Sequence, residues 1–238
     1  ASDVYKRQIK GREGAGIWEK GAMFRFFQVN RDIFLRTLCL VAVTLFFTSA
    51  GASQGEIILA VNTLLMQLFT LFSYVMDGFA YAGEALSGRY IGARNREAFT
   101  DTVRHLFGWG AVMAVLFTLV YALGGNAFLG LLTDDKEVIA VADTYFYWAL
   151  AVPAVGIAAF IWDGIFIGAT ATRGMLLSMA AAAVSFFILY YGLHPVLANH
   201  ALWLAFLTYL LMRGVVQTGL SREVIRRAFP SKKEPAWR

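Results

Sequence analysis

Charge is scarce in this chain, and cysteine is almost absent. Only 16% of its 238 residues are Asp, Glu, Lys or Arg, while 58% are hydrophobic. A soluble domain carries about a quarter charged residues. The balance excludes an ordinary soluble domain and points to a protein that crosses a membrane several times. Cys39 is the single cysteine, so no disulfide framework exists. The three histidines, His105, His194 and His200, lack metal-ligand spacing. No Ser–His–Asp set, glycine-rich phosphate loop or pair of helix histidines is present. These absences argue against an enzyme and call for no cofactor or metal. The chain also shows no initiating Met and no apolar secretory core, since its first 30 residues are mixed and basic. Residues 1–8 resemble no part of a packed element.

What the chain has instead is long apolar runs. Six of them reach about 20 residues, enough to cross a bilayer as helices. They cover residues 32–50, 57–83, 103–123, 138–168, 175–193 and 201–220. The pattern predicts an all-α polytopic membrane bundle of six transmembrane helices. It divides the chain into a basic N-terminal segment or linker (1–30), a six-helix lobe (31–221) and a basic tail (222–238). Pro153 sits at the centre of the long fourth run, where a kink is expected and neighbouring helices can satisfy the freed carbonyl. Two pieces, 95–106 and 222–229, are amphipathic; they fit either the inner leaflet surface or a solvated helix extension.

The few basic residues are unevenly placed. Lys6, Arg7, Lys10, Arg12, Lys20, Arg25 and Arg31 precede the first run. Arg89, Arg94, Arg96 and Arg104 surround the connection from the second run to the third, and Arg173 follows the fourth. Six more lie after Ser221. The alternate connections hold only Lys136. By the positive-inside rule this predicts an inner (plasma) membrane protein with both termini cytoplasmic. The formal net charge of +5 is then a topology signal rather than a nucleic-acid footprint. Arg36 and Arg213, inside the runs, should snorkel or find partners.

Two carboxylates interrupt the apolar runs in similar settings, Met76-Asp77-Gly78-Phe79 and Trp162-Asp163-Gly164-Ile165. Asp77 stands 12 residues before Arg89 and Asp163 stands 10 before Arg173. At about 1.5 Å per residue both fall about 15–18 Å from the next basic residue, near mid-membrane in a core about 30 Å thick. An aspartate there costs about 2.5–3.5 kcal/mol, so an interior, water-accessible or paired position is expected. A structural role, capping a broken helix or accepting hydrogen bonds, competes with a role in moving a solute. Asn62, Gln67, Tyr74 and Tyr81 share the run of Asp77 and would line a polar path or bond to other helices. Glu84 is nearer the cytoplasmic face and reads as interfacial or as a further site acid. Gly88-x-x-x-Gly92 and Gly164-x-x-x-Gly168 signal close helix packing.

Several of these segments also resemble a known family. Residues 30–36, the stretch from Tyr74 to Ala85, Ser87-Gly88-Arg89-Tyr90-Ile91-Gly92-Ala93-Arg94, Asp163-Gly164-Ile165-Phe166-Ile167-Gly168-Ala169-Thr170 and residues 199–205 are similar to the DinF branch of the multidrug and toxic compound extrusion (MATE) transporters. The match is ordered and covers roughly residues 17–225. The resemblance implies one six-helix lobe, the C-terminal one, of a two-lobe exporter. Such a protein exchanges a small organic, often cationic, substrate against H⁺ or Na⁺ across a central cleft. It also places Asp163 where relatives carry a carboxylate implicated in cation coupling. Residues 33–50 of the first run lack the acid that some sodium-coupled relatives have there, which favours H⁺. In the implied mechanism a charged acid attracts the cargo and a protonated one releases it, and abundant Phe and Tyr line the cleft. The missing N-terminal lobe and the lipid bilayer are the implied partners, and nucleic acid is not. Two other functions stay open. A lipid-linked saccharide flippase would want arginines converging on the cleft, whereas here they are read at the inner helix ends. A non-transporting membrane scaffold or subunit fits the half-length chain.

Overall fold

The computed structural model describes residues 20–230, and those residues form six long helices and no strand. They are α1 (Lys20–Ala52), α2 (Glu56–Gly92), α3 (Arg96–Leu132), α4 (Lys136–Gly168), α5 (Thr172–Leu197) and α6 (Asn199–Ala228). All six are long and apolar enough to cross a membrane. The outer parts of the expected basic segment (1–19) and basic tail (231–238) lie outside the described residues. Within them, α1 begins before the expected lobe boundary at 31 and α6 runs past the one at 221. Apolar content marks only the lipid-crossing part of a helix, while hydrogen bonding carries the helix on into polar sequence.

The amphipathic pieces are such extensions. Asn95 caps α3, its side chain accepting from Ala98 N–H at 3.0 Å. Phe99, on that first part of α3, is buried against Phe229 just beyond α6, with ring centroids 5.4 Å apart. Pro153 lies inside an uninterrupted α4. Three residues before it, the Thr118 hydroxyl of α3 reaches the Leu150 carbonyl at 3.4 Å, so a neighbouring helix adds a bond one residue beyond Ala149, whose carbonyl the proline leaves without its donor.

Two turns are built alike. After α2, Arg94 N–H bonds to Ile91 O and Asn95 N–H to Tyr90 O. After α4, Thr170 N–H bonds to Ile167 O and Ala171 N–H to Phe166 O. Both are Schellman ends, which need a left-handed residue, and Arg94 and Thr170 supply it with φ of 54° each. They put two three-residue turns at the same end of the bundle, which is also the arginine-bearing end.

The largest interface joins α2 to α4, followed by α5 with α6 and α4 with α6. Glycine makes the first possible. A Cβ on Gly164 would run into the backbone carbonyl of Ala80, and one on Gly168 into the carbonyl of Glu84. At Gly214 a Cβ would come 2.8 Å from Ala158 Cβ and 3.2 Å from Ala159 N, so α6 also approaches α4 at backbone distance. Around these seams the interior is aromatic. Phe72 stands edge-on to Phe117 and Phe160 at 5.5 and 6.0 Å, and Phe69 meets Phe206 at 5.1 Å. Helix α3 touches only α2 and α4 substantially, so it sits at the periphery.

A candidate site around a carboxylate held by two arginines

The close seams of α4 bring three helices to one carboxylate. Asp163 is 8% exposed, and its Oδ2 accepts from Arg36 Nη2 of α1 and from Arg213 Nη2 of α6, each at 2.5 Å. Its Oδ1 accepts from Gln217 Nε2, one turn beyond Arg213 on α6. The Arg213 guanidinium also lies over the rings of Tyr209 and Phe160, at 5.6 and 5.9 Å. A buried charge is tolerated when it is paired and hydrogen-bonded, and Asp163 has both in full. The arginines do not. Arg36 Nε and Arg213 Nε, with Gln217 Oε1, are buried without a partner. Two guanidiniums around one carboxylate leave a positive charge in excess.

Asp77 stands outside this network. It is half-buried on α2 and makes no ion pair or hydrogen bond among the described residues. The register follows from the glycine seam, since Gly164 seats α4 against Ala80, three residues past Asp77. Tyr74 and Tyr81 lie one turn before and after Asp77, and both rings are about 70% exposed. Gln67, Tyr74 and Tyr81 recur every seven residues, so they form one line along α2, all exposed. Asp77 and Glu84 form the adjacent line, both half-buried.

The expected polar path therefore exists in part. Gln67, Tyr74, Asp77, Tyr81 and Glu84 share one side of α2. Asn62 does not join them. It is buried and its amide exchanges two hydrogen bonds with Asn199, at 2.8 and 2.9 Å, while also accepting from Trp203 Nε1 at 2.9 Å. This clasp joins α2 to α6 near the end away from the arginine turns. Gly51 of α1 closes over it, because a Cβ there would meet Asn62 Nδ2 at 2.9 Å.

Two expectations need correcting. Arg36 and Arg213 pair, as one of the two outcomes had it, but they do not sit at the inner ends of their helices. Each is near the middle of its helix, and both converge inside the bundle. Second, Asp163 and Asp77 are unequal despite their similar settings: one is saturated with donors and the other has none among the described residues.

Sequence reasoning missed Gln217 altogether and left the partner of Arg213 open. A signal was present. Arg213 lies in an apolar run with few acids at comparable depth, so an acid was its natural partner, and Gln217 follows it by one helical turn.

A network of charges inside a helical membrane bundle marks a candidate functional site. The comparisons supply the class. The family model MatE matches residues 33–196. DNA damage-inducible protein F of Escherichia coli (strain K12) is 41% identical over 209 residues, 88% of this chain and 45% of that protein. Protein DETOXIFICATION 45, chloroplastic, of Arabidopsis thaliana is 26% identical over 133 residues, 56% of this chain and 24% of the relative. Among solved structures, the Vibrio cholerae MATE transporter VcmN in its bent form superposes with a TM-score of 0.74 at 22% identity, over 88% of this chain and 48% of that one. The chain belongs to the MatE family, whose members are transporters and not enzymes. It spans about half the length of the E. coli relative it matches.

Proposed function

We propose that the chain is the C-terminal six-helix lobe of an exporter that moves drug-like or cationic organic compounds in exchange for H⁺ or Na⁺. The observation that carries this reading is the contrast between the two aspartates. Asp163 is spoken for by Arg36, Arg213 and Gln217. Of the two, Asp77 makes no ion pair or hydrogen bond among the described residues, and it lies between two exposed tyrosines. An acid flanked by aromatic faces suits an organic cation, by charge and by attraction to the ring quadrupoles. Proton or cargo would therefore exchange at Asp77. The arginine–Asp163 unit holds α1, α4 and α6 together.

The lobe would complete its cleft with a second six-helix lobe laid against the exposed sides of α1 and α2. The arginine-rich turns after α2 and α4 would face the cytoplasm, with both chain ends on that side of the inner membrane. A second reading is a lipid-linked saccharide flippase. The interior convergence of Arg36 and Arg213 favours it more than their expected positions did, since paired guanidiniums hold phosphate. Against it, Asp163 already neutralises one of the two charges, and the donors left over, Arg36 Nε and Arg213 Nε, are buried.

Efflux of a cationic dye by the complete two-lobe transporter tests the proposal. Asp77→Asn should abolish proton-driven efflux without loss of expressed, folded protein. Wild-type efflux by that variant between about pH 6 and 8 would sink Asp77 as the exchange group. Transport of a lipid-linked sugar in place of the dye would select the flippase.

A further inference from the structure

The peripheral side of α3 carries a groove that the transport reading does not use. It is an open cleft of about 410 Å³ between the arginine-bearing ends of α2 and α3. Phe79, Leu86 and Leu106 form an apolar floor, and Asp101, His105 and Trp109 form its edge on α3. An adjoining hollow extends along α3 past Arg104 and Trp109 to Val112.

The groove straddles a polarity boundary. Trp109, Val112, Val115, Leu116, Leu119 and Leu123 are all exposed and follow one another at helical spacing. That stripe faces hydrocarbon, because α3 has no neighbour there among the described residues. One turn before Trp109 the same side turns polar, at His105, Arg104 and Asp101. Tryptophan marks the level of the headgroups. An occupant must therefore be amphipathic, with its apolar part on the floor and its polar part on the rim. A membrane phospholipid has that form and is already in place.

The rim also selects a headgroup. Arg104 Nη1 and Asp101 Oδ1 stand 3.7 Å apart, and both side chains are mostly exposed. The pair offers a cation for a phosphate and an acid for an ammonium. His105 adds an acceptor. Its Nδ1 lies 2.7 Å from the Asp101 backbone carbonyl, which can only accept. Nδ1 therefore carries the hydrogen, and in the neutral ring Nε2 is left with a lone pair. A carboxylate and a ring nitrogen on one rim match a primary ammonium, which has three N–H donors; a quaternary one feels the charge but can donate no hydrogen bond to either. We propose that this groove is a binding site for an aminophospholipid, with the ammonium on Asp101 and His105, the phosphate on Arg104 and an acyl chain along Trp109.

Photo-crosslinking in membranes tests this. The 238-residue chain is synthesised into vesicles holding either a phosphatidylethanolamine or a phosphatidylcholine that bears a diazirine on the acyl chain, and labelled peptides are mapped. The proposal expects labelling of α3 near Trp109, with phosphatidylethanolamine favoured roughly three- to fivefold, the size one exposed charge contact supports. Asp101→Asn should remove the preference, and Arg104→Gln should lower labelling by both lipids. Both side chains are exposed, so neither variant threatens the fold. Equal labelling by the two lipids in the wild type, a preference that survives Asp101→Asn, or labelling spread evenly over all helices would each overturn it.

Discussion

Gly164 on α4 lies directly on the backbone carbonyl of Ala80 on α2, with no room for a single carbon between them. The other glycine that follows an aspartate, Gly78, has nothing within 4 Å of where its Cβ would be. Backbone cannot yield as a side chain tip does, so Gly164→Ala must push the helices apart. Overpacking of this kind costs about 1–3 kcal/mol. Gly78→Ala should be neutral or stabilise by up to about 1 kcal/mol, since alanine is the better helix former. Thermal unfolding of the detergent-solubilised protein compares the two. Equal effects would show that the seam is not as close as described.

The Asp163 network makes a less intuitive forecast. Asparagine keeps the shape of aspartate, yet Asp163→Asn would leave a buried guanidinium, Arg213, and a half-buried one, Arg36, without the carboxylate that pairs them. Breaking a buried ion pair in this way costs about 3–5 kcal/mol. Arg213→Gln removes one of two cations and leaves Asp163 paired with Arg36. Its cost should be smaller, about 1–3 kcal/mol for the orphaned hydrogen bonds. The acid should thus be less replaceable than either base, as read by folded yield and melting temperature. The reverse order would mean that Asp163 is held chiefly by packing.

How much of this was legible beforehand follows from what each interaction needs. The six helices were readable because lipid demands long apolar runs, and the arginine placement followed from the same physics. The α2–α4 seam was half readable: Gly164-x-x-x-Gly168 announces a close approach, and the structure adds that Ala80 and Glu84 are what it approaches. The difference between Asp77 and Asp163 was not readable at all. Both sit before a glycine in an apolar run. Only the rotation of α4 about its axis, set by contacts with α6 through Gly214, decides which one meets Arg213.

The Schellman turn after α4 puts a β-branched residue, Thr170, at a φ of 54°. The left-handed region costs a non-glycine residue about 1–2 kcal/mol, and β-branching makes it worse. Thr170 is exposed, so nothing in its side chain offsets this. Thr170→Gly should therefore stabilise by about 1 kcal/mol, a rise in melting temperature of about 2–4 °C for a chain of this size. Arg94→Gly, at the matching turn and the same φ, should act alike in the folded protein. It would also remove one basic charge from that end, so insertion efficiency is measured alongside. A fall in stability for Thr170→Gly would show that the threonine contributes more than its backbone strain costs.

The last prediction concerns the lobe by itself. On α1, Phe24, Phe27, Phe34 and Leu38 are exposed; on α2, so are Gln67, Tyr74 and Tyr81. Apolar side chains on α1 are at ease in lipid, but the polar line on α2 is not. Asp77 and Glu84 border that line, half-buried, without an ion pair among the described residues. A carboxylate facing hydrocarbon costs about 2.5–3.5 kcal/mol, so this side calls for water or a protein partner. A second lobe would provide both, enclosing a cleft over α2. Expressed alone, the 238-residue chain should insert yet give no drug resistance, and it should melt well below a fusion that supplies an N-terminal MatE lobe. Restored efflux in the fusion, lost again on Asp77→Asn, would tie the cleft to that side of α2. Robust dye efflux by the lone chain would point to two copies serving as the two lobes, and crosslinks between cysteines placed at Tyr74 of each copy would then identify the face that joins them.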